Sequence, residues 1–188
     1  MTRSEMLQVI ARHAYNVGFG SRKNFATFDI ISKASGWISF ISLSIGVFAL
    51  FVPLLATNVV SAILIIFGVV TMYIQFYDNE KNNYEKAGNA QIQIFNKLEV
   101  LYRNVKSDDY FDYVSAQKSV DILTTEFYST VISKQIFGSN WYAHYKFFCE
   151  FEKRWVEDEL KLTFKDKIPV SLYFFAAVFV SLGVFLFL

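Results

Sequence analysis

The sequence predicts an all-α membrane protein: a transmembrane helical hairpin, a cytosolic helical bundle and a third, C-terminal transmembrane helix. Three observations predict it. Residues 34–77 contain no Asp, Glu, Lys, Arg or His, and ~20 apolar residues suffice to cross the ~30 Å hydrocarbon layer of a bilayer. Residues 78–167 carry apolar side chains at helical spacing, with few period-two runs and no hairpin dipeptides. Residues 168–188 are again free of charge and hold fourteen Leu, Ile, Val or Phe.

Residues 1–33 read as amphipathic helices at the cytosolic side or the membrane interface. Met6, Val9, Ile10, Ala14 and Val17 recur at helical spacing, with Thr2 or Ser4 as N-cap. Gly18 and Gly20 are expected to interrupt this helix and Ser21 to cap the next. The latter runs into the first span and places Arg22, Lys23 and Lys33 at the lipid headgroups. The stretch from Gly18 to Lys23 invites comparison with a phosphate-binding loop. It has neither a preceding strand nor the required glycine spacing.

The hairpin occupies residues 34–77. Ile38 to Leu55 holds twelve Leu, Ile, Val or Phe, at roughly −0.3 to −0.6 kcal/mol each near a helix centre. Their sum, about −4 to −7 kcal/mol, outweighs the embedded serines. Val59 to Phe76 holds eleven more, and the turn is expected near Thr57 and Asn58. Five cations, Arg3, Arg12, Arg22, Lys23 and Lys33, precede the first span. The turn has none, and the other thirteen lie in residues 78–167. The positive-inside rule therefore places the N-terminus and residues 78–167 in the cytoplasm of a multi-pass inner (plasma) membrane protein.

Within the cytosolic region, Tyr84, Ile94, Phe95, Leu98, Leu101, Tyr102 and Val105 extend the second span as a long helix to about Lys106. Ser107, Asp108 and Asp109 break it and are expected to cap a helix that carries Val120, Leu123, Phe127 and Val131 inward and ends near Gly138. A third helix from Asn140 is expected to hold Trp141, Tyr145, Phe148, Phe151, Trp155 and Leu162. Pro169 suits the first turn of the C-terminal helix, whose length permits a span. The alternative is a helix packed beside the hairpin or lying in the interface.

Several function classes find no support. A net charge of +1 offers no footprint for nucleic acid. The single Cys149 forms no internal disulfide and reads as a small buried hydrophobe beside Phe148 and Phe151. His144 with Cys149 is no metal set. No nucleophile has a matching base, so neither an enzyme nor a cofactor is expected. The acidic run Glu150, Glu152, Glu157, Asp158 and Glu159, interleaved with Lys153 and Arg154, reads as a solvated helix face.

One patterned feature remains. Ser32, Ser35, Ser39, Ser42, Gly46, Ala49 and Pro53 follow one another at steps of three and four, and Ser61, Gly68, Thr71 and Gln75 repeat the theme weakly. Small residues let membrane helices approach and serines hydrogen-bond across the contact. In an oligomer the same residues would line a wet pore. Both readings of Ser35, Ser39, Ser42, Gly46, Ser61, Gly68 and Thr71 stand.

The Ser21–Arg22 element on a basic helix, the charge-free hairpin, the helical tail and the stretch from Lys165 to Pro169 together resemble the SLATT-domain family. The resemblance covers most of the chain and is one of architecture more than sharp motifs. It implies a membrane effector of a bacterial anti-phage or conflict system, partnered with nucleotide-producing or nucleotide-sensing proteins. Such an effector would homo-oligomerise and open a pore in, or disrupt, the inner membrane. A different class stays open: a membrane scaffold that recruits a cytosolic partner through its aromatic-rich helices. The family is usually described with two spans, so residues 168–188 are a departure.

Overall fold

The computed structural model describes residues 2–108, 110 and 112–187, and among these it is helical without strands. Asp109, named above as part of a helix cap, lies outside the described residues. Two long helices run through the molecule: α1 (Arg3–Phe48) and α2 (Asn58–Ser107). At 1.5 Å per residue they are ~70 and ~75 Å long, far more than a bilayer requires. Four shorter helices follow: α3 (Tyr113–Ser129), α4 (Ser139–Cys149), α5 (Arg154–Leu160) and α6 (Val170–Phe187).

Thr2 starts α1 with a reciprocal cap: its hydroxyl accepts from the Glu5 amide, and the Glu5 carboxylate accepts from the Thr2 amide at 2.8 Å. The expected break at Gly18 and Gly20 does not occur, and both lie inside the helix. Their glycine identity serves packing. A Cβ on Gly18 would stand 3.1 Å from the rings of Phe95, Phe147 and Phe151. One on Gly20 would stand 3.2 Å from Gln91 and Phe127. Ser21 accordingly caps nothing; it is fully buried and donates to the Gly88 carbonyl at 3.1 Å.

The turn between the long helices is wider than expected. It runs from Ala49 through a 3-10 turn, Pro53–Leu55, to Thr57, whose hydroxyl caps α2 by accepting from the Val60 amide. Asp112, rather than Ser107 or Asp108, caps α3 by accepting from the Val114 amide at 3.0 Å. Because α3 ends at Ser129, Val131 falls outside it and is 47% exposed.

The expected helix from Asn140 to Leu162 is split into α4 and α5. The cause is Lys153, whose nearly buried ammonium donates to the carbonyls of Phe148 and Phe151 and pairs with Glu157. Folding that side chain inward satisfies the end of α4 and separates it from α5. The inward aromatic of α4 is Phe147, fully buried, whereas the expected Tyr145 is exposed. Cys149, expected buried, is exposed at the end of α4.

The main core lies between the polar half of α1 and the far half of α2. Met6, Ile10, Ala14 and Val17 meet Ile94, Phe95, Leu98, Tyr102 and Val105 there. Val120 and Leu123 of α3 and Val156 of α5 close it. The predicted α2 stripe is thus borne out, and Leu101 packs against its edge. The apolar halves differ sharply. Residues 35–48 of α1 include none that is buried, and in Asn58–Gln75 only Ile74 is.

Candidate functional site at the junction of bundle and spans

Where the apolar halves meet the bundle, both long helices depart from α geometry. α1 widens into a π turn over Ile30–Ala34, and α2 passes through a 3-10 turn over Asp78–Glu80. A second, smaller core forms there from Ile31, Ile74, Tyr77, Tyr84 and Ile136, with Phe28, Ile38 and Ile132 packed against it. Ile136 belongs to the extended connection between α3 and α4, which crosses both long helices at this level.

A buried polar layer separates the two cores. The Asn24 amide donates to Gln91 at 3.0 Å, and Gln91 donates to the Thr130 hydroxyl at 3.1 Å and its carbonyl at 3.3 Å. Gln135 donates to Asn24 and to the Ile132 carbonyl, and the Thr27 hydroxyl donates back to Gln135. Asn24, Thr27 and Gln91 are at most 2% exposed. Chain-neighbour patterning gives no sign of this network, because its members lie up to 111 residues apart. The mid-helix run Ser21, Asn24, Thr27, at steps of three on an otherwise apolar face, was its only sequence trace.

Just before the π turn, Asp29 accepts from Lys33 and from Lys146 of α4, each at 2.6 Å. Burial opposes charge on Asp29, but the bonds from Lys146 and Lys33 outweigh it and hold the carboxyl below the usual range. Burial likewise works against charge on Lys146, and the Asp29 bond overrides it and raises its pKa. The pair fastens α4 to the start of the π turn.

The seam of small residues is divided by the structure. Ser35, Ser42 and Thr71 are half-buried where the two apolar halves pack, whereas Ser39, Gly46, Ser61 and Gly68 are exposed. Beyond the neighbouring turns of its own helix, a Cβ on Gly46 or Gly68 would meet nothing within 4 Å among the described residues. The Ser61 hydroxyl donates to the Thr57 carbonyl of its own helix at 3.2 Å. Beside α4, a cleft of about 770 Å³ between α1 and the approach to α6 is lined by Arg12, Tyr15, His144, Lys165 and Ser171 among others. His144 packs on Phe19 and Phe148, and burial lowers its pKa.

α6 is fixed at its start by Trp141, whose indole donates to the Ser171 hydroxyl at 2.8 Å and packs edge-on against Phe175.

Fold and junction together define a helical protein in which two long apolar helices are fastened to a bundle through a small core and a buried amide layer. More particularly, the chain belongs to the SLATT family: the family described as SMODS and SLOG-associating 2TM effector domain 6 matches residues 1–176. It is therefore a membrane effector of the conflict-system kind, as the resemblance implied. The match ends inside α6, so the rest of that helix lies beyond it. No curated protein and no solved structure matches the chain.

Proposed function

We propose that this protein assembles through its hairpin in the inner membrane and, on activation, opens a pore or breaches the bilayer. The bundle acts without catalysis. It lies in the cytoplasm, as the Lys/Arg distribution favours, and carries assembly and the sensing contact. Its partner is a nucleotide-producing or nucleotide-sensing protein, in keeping with the association in the family's name. Arg12 and Lys165, which form no ion pair among the described residues, offer the cleft's charge to that contact.

One observation carries the reading. Ser39, Gly46, Ser61 and Gly68 face away from any neighbour in a single copy, and small residues on a lipid-facing surface are where another helix can approach closely. α6 acts as a third span: it is apolar all round, its 18 residues cover ~27 Å, and it starts beside Trp141 at the cytosolic face.

The test is a dye or ion leak assay on liposomes containing the purified protein with its cognate partner. Leak is the expected result. Tight liposomes, together with polarised cells on expression, would sink the proposal. Ser39→Leu combined with Ser42→Leu should abolish toxicity and preserve insertion.

A further inference from the structure

The connection between α3 and α4, residues 131–137, has no regular structure, yet its fastenings reach both long helices. Ile136, 3% exposed, sits among Ile31 of the π turn and Ile74, Tyr77 and Tyr84 of α2. The Tyr84 hydroxyl donates to the Lys134 carbonyl at 2.6 Å. The Phe137 amide donates to the Tyr73 hydroxyl at 3.2 Å, and the Lys134 ammonium stands 4.8 Å above the Tyr77 ring. Gln135 adds its bonds to Asn24 and Thr27 of α1. The segment thus spans the level at which both helices leave α geometry.

We infer that residues 131–137 are a clamp that sets the orientation of the spans relative to the bundle, and that loosening it is how an event on the bundle reaches the membrane. A π turn is a rare, locally costly arrangement that persists where its surroundings hold it. Returning Ile30–Ala34 to α geometry would rotate the apolar half of α1 about its axis and change which side chains it presents to other copies. The clamp packs directly on that turn through Ile136 and anchors to the rigid part of α1 through Gln135. A segment without a regular ladder of backbone bonds opens more readily than the helices it binds. The second half of the inference rests on the effector reading above.

The experiment is hydrogen exchange on the full chain in lipid nanodiscs, for wild type, Gln135→Ala and the milder Tyr84→Phe. Tyr84→Phe, which loses one hydrogen bond, should speed exchange about fivefold at residues 28–36 and 72–82, and Gln135→Ala, which loses three, should speed it more. Exchange at residues 94–105, in the main core, should stay unchanged. Both variants should also leak liposomes without partner. Unchanged exchange, or an equal rise in the main core, overturns the clamp. Local acceleration with tight liposomes upholds the clamp and overturns its coupling to the membrane. If wild type with partner is also tight, the fault lies in the pore reading.

Discussion

Gly88 and Gly46 show how differently one residue type serves in this chain. A Cβ on Gly88 would stand 2.9 Å from the Phe25 ring, so that α1 and α2 could not keep their approach. Gly88→Ala should therefore lose ~1–3 kcal/mol to overpacking, seen as a lower melting temperature. Gly46→Ala meets nothing in a single copy and should leave it unchanged or gain up to ~1 kcal/mol of helix propensity. If Gly46 serves helix approach between copies, the same substitution should reduce cross-linked oligomer while the monomer melts normally. His144 supplies a pH signature. Burial lowers its folded pKa, so its contribution is fully present above the unfolded value of ~6.5. That contribution is lost as pH falls from there through the folded value. His13, lowered chiefly by burial, adds in the same direction. Melting should thus drop between pH 7.5 and 5.5, and His144→Gln should flatten part of the slope.

At the scale of elements, α4 is a latch. Phe147 is its only fully buried aromatic, edge-on to Tyr15 and Phe19, while Lys146 reaches Asp29. Phe147→Ala should cost ~3–5 kcal/mol and be read as loss of the bundle's cooperative melt. Gln91 ties α1, α2 and the end of α3 together, and Gln91→Leu would leave the Asn24 amide without its acceptor. Each buried group so orphaned costs ~1–3 kcal/mol, a loss that thermal melts would register. α6 depends on Trp141. Reporter fusions at the C-terminus should mark it as outside if α6 spans, and Trp141→Ala should shift a share of molecules to the inside.

Across the whole molecule, one pair of helices belongs to two solvents. Their polar halves bury side chains against α3, α4 and α5, and their apolar halves fully bury only Ile74. Stability in water and insertion in lipid are therefore carried by separate lengths of the same helices. Truncating after Ser107 would remove α3 to α6 and expose Phe95, Leu98 and Val105, so aggregation on expression is expected while membrane association persists. A fractionation assay with size-exclusion chromatography checks both.

The hairpin, the α2 stripe and the absence of strands were legible in the residues themselves, because charge-free length and helical periodicity are local properties. So was the start of α1, expected at Thr2 or Ser4 and found at Thr2. The unbroken passage of α1 through Gly18 and Gly20 was not, since a glycine reads as a helix breaker until the rings of Phe95, Phe127 and Phe147 are seen to occupy the space that a Cβ would take. Nor could periodicity foresee the break at Lys153, which depends on a buried ammonium finding two carbonyls. The junction is the clearest case of the second kind. Asn24, Gln91, Thr130 and Gln135 are ordinary polar residues along the chain, and only their convergence between the packed helices turns them into a binding layer.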